Sequence, residues 1–119
     1  MIFYTNRFIP TGSAGCARGP VILIRPEYRY DKGLEAHERV HTYQWWHTLG
    51  LHSFLYLFSK RYRLRAEIGA YKEQLKWPPA VNDSDRYKSK YASWIAAQGA
   101  EGYGINDIVS KEEAIMLLS

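Results

Sequence analysis

Hydrophobic and polar positions divide the chain into a short β-like start and a long helical remainder. Over the first 26 residues the apolar positions come in brief runs cut by turn residues. Ile2 to Tyr4 reads as a short strand and Pro10 to Gly19 as a loop marked by Gly12, Gly15 and Gly19. Val21-Ile22-Leu23-Ile24 is the best strand in the chain, rich in β-branched residues and bracketed by Pro20 and Pro26. Proline cannot donate to a ladder, so the bracket predicts an edge position.

From Gly33 onward the spacing becomes helical. Leu34 to His47 carries apolar residues around most of its circumference, which predicts a buried helix, and Gly50 ends it. A second helix runs from Phe54 or Lys60 to Trp77, where Pro78-Pro79 forbids continuation. A third begins at the Asn82-Asp83-Ser84 cap, carries Tyr87, Tyr91, Trp94 and Ile95 on one stripe, and is stopped by Gly99. Gly99 to Gly104 reads as a flexible turn. The last helix opens on Ser110 and Glu113, spaced as a capping box, and continues through Ala114 to Leu118. The expectation is an α+β domain: a small N-terminal β portion with an edge strand, then four helices. With 119 residues, a second core would be too small to fold alone, so residues 1–119 read as one domain.

The composition, 46% hydrophobic and 24% charged, excludes a disordered chain. Ten tyrosines, four tryptophans and four phenylalanines supply large buried area, and Trp45, Trp46 and Trp77 are expected in the core rather than stacked on a sugar. The single cysteine, Cys16, excludes an intramolecular disulfide; with no base placed beside it, it reads as an idle thiol rather than a nucleophile or a fourth metal ligand. The net charge of +4 is spread along the chain and marks no nucleic-acid site; a polyanion-binding domain would rest on that surplus alone. The start, MIFYTNRFIP, lacks the pattern of a signal peptide, and the longest apolar run, Phe54 to Phe58, is far too short to span a bilayer. A soluble, cytoplasmic chain is therefore expected. Nothing in the sequence encodes an oligomeric state.

Residues 37 to 41 read His-Glu-Arg-Val-His. Two histidines four apart on a helix lie about 40° apart around its axis and one turn above each other, so both imidazoles can reach one ion. Glu38, next to the first histidine, is placed to take a proton from water at the open side of that ion. Neutral nitrogen donors, an open position and a nearby base are what catalytic zinc requires. The apolar neighbours Leu34, Ala36, Val40, Tyr43, Trp45 and Trp46 predict that the histidines are buried.

A third ligand must come from elsewhere. His47 has the six-residue spacing of the metzincin proteases, but that class needs a glycine where this chain has Gln44. In a continuing helix His47 falls about 600° past His41, on the opposite side. Glu67 fits better: it interrupts an apolar helical face formed by Leu64, Ile68, Tyr71 and Leu75. Burying an unpaired carboxylate costs several kcal/mol, which a metal bond offsets. The competing account is a salt bridge to Arg63, four residues earlier.

His-Glu-x-x-His, Gln44 three residues on, and Glu67-Ile68-Gly69-Ala70-Tyr71 on a following helix together resemble the gluzincin class of zinc metallopeptidases, and are most similar to its minimal members. The resemblance runs from about Val21 to Leu75. It implies one Zn2+ per chain held by His37, His41 and Glu67, with Glu38 as general base and acid. It also implies a peptide or protein substrate paired along Val21 to Arg25 as the sheet edge. Such enzymes usually supply a His or Tyr to stabilise the oxyanion; Tyr56, Tyr62 and Tyr71 all remain open. An alternative function is a catalytically idle, metal-stabilised module of a larger assembly. Gln44 shares the metal-facing side of its helix and either orients His41 or caps a turn. Arg63 and Arg65 read as solvated surface, and His52, after Gly50, as a loop bystander.

Overall fold

The computed structural model describes residues 1–99 and 102–119. Three strands, β1 (Ile2–Tyr4), β2 (Gly15–Arg18) and β3 (Val21–Ile24), form a sheet in the order β1-β3-β2. β1 runs parallel to β3, with Ile2 opposite Ile22 and Tyr4 opposite Ile24. β2 is antiparallel to β3, with Gly15 opposite Ile24 and Arg18 opposite Val21.

Two expectations are corrected here. Val21 to Arg25 does not form the sheet edge: β3 is central and pairs on both sides. Pro20 and Pro26 flank the paired residues, so neither removes a ladder bond. The stretch from Pro10 to Gly19 is not all loop either, because its second half is the outer strand β2. Gly15, Cys16, Ala17 and Arg18 have no β-branched residue among them, so composition hides the strand. Gly15 is needed there: a Cβ would stand 2.9 Å from the carbonyl oxygen of Leu23. The loop before β2 is held by the Arg25 guanidinium, which donates to the carbonyls of Ser13 at 2.7 Å and Pro10 at 3.2 Å.

Among the described residues five α-helices follow: α1 (Lys32–His47), α2 (His52–Phe58), α3 (Lys60–Gln74), α4 (Ser84–Ile95) and α5 (Lys111–Leu118). Asp31 caps α1 by accepting from the Leu34 amide at 3.0 Å. The single helix expected from Phe54 or Lys60 to Trp77 is divided at Ser59, whose backbone is extended and whose hydroxyl accepts from the Tyr62 amide at 3.2 Å to start α3. α4 starts at Ser84 without a side-chain cap bond and ends at Ile95, short of Gly99. Of the turn expected over Gly99 to Gly104, positions 100 and 101 lie outside the described residues. α5 carries both bonds of the expected capping box, each 3.1 Å.

The apolar core is built by α3, α4, α5 and the segment between the last two, around Tyr71, Tyr91, Ile95, Ile105, Val109 and Leu118. α1 lies along α3 in the opposite direction: Gly33 adjoins Gln74 at one end, and Gln44 bonds Ala66 towards the other. The buried residues of α1 are Gly33, His37, Glu38 and His41, not its apolar set. Tyr43 and Trp46 face outward, the latter 59% exposed, and Trp77 is exposed as well. The expectation of a helix buried all round, and of Trp46 and Trp77 in the core, fails; Trp45 alone is half-buried, against Gly19 and Gly50. Among the described residues no helix is long and apolar enough to cross a membrane.

Candidate metal centre

His37 and His41 sit one turn apart on the buried side of α1, and Glu67 faces them from α3. His37 Nε2 lies 3.3 Å from Glu67 Oε1, and His41 Nε2 lies 3.3 Å from Glu67 Oε2. All three side chains are buried, Glu67 to 2% exposure. One donor atom from each can be chosen so that all lie within 4.8 Å of one another. Donors bound tetrahedrally at ~2.0–2.1 Å are about 3.3 Å apart; each histidine stands at that separation from one of the two Glu67 oxygens.

A polar atom left over supports the same fit. Glu67 Oε1, although close to His37, receives no hydrogen bond among the described residues. A buried carboxylate oxygen without a donor is costly, and a cation between the three side chains would satisfy it. This His-His-Glu group can hold a metal ion.

Gln44 fixes the chemistry of His41. Its nitrogen donates to the Ala66 carbonyl at 3.3 Å, and a carbonyl only accepts, so its oxygen must face His41 Nδ1, 3.0 Å away. Nδ1 of His41 therefore carries a proton, and Nε2, once it has lost its own, can offer a lone pair to an ion held with Glu67. Tyr56, on α2, donates to Glu67 Oε2 at 2.5 Å and orients the carboxylate. His37 has no such support, because its Nδ1 is buried without a partner among the described residues.

Without a metal, burial disfavours a charged His41, but the Glu67 carboxylate outweighs it and pushes the imidazole up to about 9. Burial also opposes charge on Glu67, yet His41 and His37 hold its carboxyl well below the usual carboxylate range. The metal-free site is therefore an ion pair. Glu38 is raised above the ordinary value by burial, against the pull of His37 and His41, with Glu67 adding to the rise.

A cavity of about 510 Å3 opens over the triad. Its lining includes Gly15 to Gly19 from β2 and the turn after it, Glu38 beside the triad, and His52, Ser53, Tyr56 and Leu57 from α2. Glu38 thus meets the cavity as the motif predicts. His52 is not a loop bystander: it opens α2, is buried, and lines the cavity with its Nδ1 2.8 Å from the Tyr62 hydroxyl. No spacing signal marks it, because its link to the site runs through α2 and α3 rather than through α1.

Of the three tyrosines left open, Tyr56 alone lines this cavity; Tyr62 is engaged with His52, and Tyr71 with the Tyr103 hydroxyl at 2.6 Å. His47 is exposed and stacked on Tyr43, away from the triad. Arg63 makes no salt bridge to Glu67; it donates instead to the carbonyls of Tyr56, Leu57 and Tyr103. Arg65 is on the surface, as expected. Cys16 lines the cavity, but burial raises its thiol despite Arg18 nearby, so a thiolate is disfavoured. Compared with family models, curated proteins and solved structures, the chain finds no match.

Proposed function

We propose that the chain is a zinc-dependent peptidase similar to the minimal gluzincins, with one zinc held by His37, His41 and Glu67 and with Glu38 carrying the proton. The observation behind this reading is the convergence of a buried two-histidine, one-carboxylate group with a second buried carboxylate at the floor of one cleft. A zinc ion so held supplies a Lewis acid that polarises a carbonyl and lowers the pKa of water towards ~7.

The residues of the chain do the rest. Glu38, buried and raised in pKa, takes one proton from the attacking water as its oxygen bonds to the scissile carbon. It returns that proton to the amine nitrogen as the C–N bond breaks. Gln44 holds the His41 ring and Tyr56 holds the Glu67 carboxylate, so neither ligand must reorganise. The outer strand β2 lines the cleft and has one side that no other strand covers among the described residues, and there an extended peptide can add as a further strand. The substrate edge expected on Val21 to Arg25 thus moves to Gly15–Arg18.

The test is Glu38→Gln assayed on a mixed peptide library, with products read by mass spectrometry. Cleavage should fall at least ~10²-fold while zinc content stays at the wild-type level. Equal cleavage by both proteins would contradict the role of Glu38. A wild type that binds zinc yet cuts nothing would favour the idle metal-stabilised module.

A further inference from the structure

We propose that the face formed by the end of α1, the α1–α2 turn and the outer side of α2 docks on an anionic lipid surface. The starting point is that α2 is inside out. His52 and Tyr56, four residues apart, face the site, while Phe54 and Phe58 face outward on a stripe that Leu51 continues, with Leu57, 66% exposed, at the rim between this stripe and the cavity. Phe54 and Phe58 pack against each other with ring centroids 4.8 Å apart and planes tilted by 45°, and Phe58 is 74% exposed. Trp46 and Leu49 extend the apolar surface back along the chain. Six large apolar side chains exposed within thirteen residues exceed the scattered exposure usual on a surface, and such clusters mark interaction sites.

Leu49 points the same way. It is 92% exposed and held at φ +54°, a conformation that leucine rarely adopts. A turn that needed only this conformation would be better served by asparagine or glycine.

Charge selects the partner. Between Glu38 and Glu67 the chain has no acidic residue and five cationic ones, of which Arg39 pairs with Glu35, Lys60 pairs with Asp107, and Arg63 is taken up by backbone carbonyls. Arg61 and Arg65, on the helix that follows α2 after Ser59, are exposed and form no ion pair among the described residues. A second copy docked face to face would bring these arginines against their own counterparts, while Glu35 and Asp107 are already paired within the chain. An anionic bilayer offers what the face lacks: negative headgroups for the arginines and an apolar layer for Trp, Leu and Phe side chains. Docking of this kind is peripheral and does not depend on the metal reading.

The experiment is sedimentation of the whole chain with phosphatidylcholine vesicles, with and without roughly a third phosphatidylserine. Binding should require the anionic lipid and fall at least about tenfold at high salt. Leu49→Asn/Phe58→Ser should weaken it by about tenfold or more. Leu49→Asn alone suits the left-handed backbone, so it should weaken binding without lowering Tm, which separates lost docking from lost folding. Arg61→Gln/Arg65→Gln should weaken binding to anionic vesicles. No sedimentation of the wild type, or equal binding by Leu49→Asn/Phe58→Ser, would overturn the proposal. So would a wild-type dimer that the double variant converts to monomer, or capture by polyglutamate in place of vesicles.

Discussion

Gln44 accepts a hydrogen bond from His41 at 3.0 Å and, through its other end, grips the carbonyl of the residue before Glu67. One carboxamide thus ties together His41 on α1, whose tautomer it sets, and the backbone beside Glu67 on α3. Gln44→Leu keeps the volume but leaves His41 Nδ1 unpaired. Zinc affinity should weaken by about 10–100-fold, the usual effect of losing such a support, with the fold retained. Competition against a fluorescent chelator measures it; an unchanged affinity would make Gln44 a packing residue only.

How much of this was legible beforehand depended on whether the signal was local. His37, Glu38 and His41 lie within one and a half helical turns, and their geometry follows from the helix period. Glu67 was readable because a carboxylate on an apolar stripe asks for a partner. The Ser110–Glu113 box is equally local, and it formed as expected. The position of β3 was not readable, because bracketing prolines look the same outside a central strand as outside an edge strand. β2 was hidden because its partner strand, not its own composition, makes it a strand. α1 misled for a further reason: apolar residues all round a helix predict burial only if enough protein surrounds it, and here the site takes the inner face while Tyr43 and Trp46 are left outside.

The metal-free ion pair gives stability a definite pH profile. His41 is raised from 6.5 to about 9, so its contribution is complete below about 6.5 and is lost as pH rises through about 9. Glu67 is lowered, so its contribution is complete above its ordinary 4.5 and is lost as pH falls. With chelator present, Tm should be highest between these limits and decline towards pH 9. Glu67→Gln should flatten the alkaline decline, as seen by circular dichroism melts. A metal-free wild type that gains stability from pH 7 to 9 would contradict the pairing.

The same pair makes metal uptake compete with a proton. His41 must lose its charge to bind an ion, so zinc affinity should rise with pH through the neutral range. Calorimetry in buffers of different ionisation heat should show net proton release near pH 7. Uptake without release would mean that His41 is already neutral.

Away from the site, the core makes a simple prediction. Ile95 is fully buried among Tyr91, Ala92, Ile105 and Val109, so Ile95→Ala should cost about 2–5 kcal/mol in urea unfolding. A loss below about 1 kcal/mol would mean that α4 and α5 pack more loosely than described.

The donor set His-His-Glu also suits non-haem iron, and zinc rests on the proposed hydrolytic role of Glu38. The most direct measurement is therefore the metal content of the chain after refolding with equal zinc and ferrous iron, alongside Glu67→Ala and His47→Ala. The predicted result is about one zinc per chain in the wild type and in His47→Ala, and almost none in Glu67→Ala. Iron in place of zinc, no metal at all, or a dependence on His47 rather than Glu67 would contradict the account.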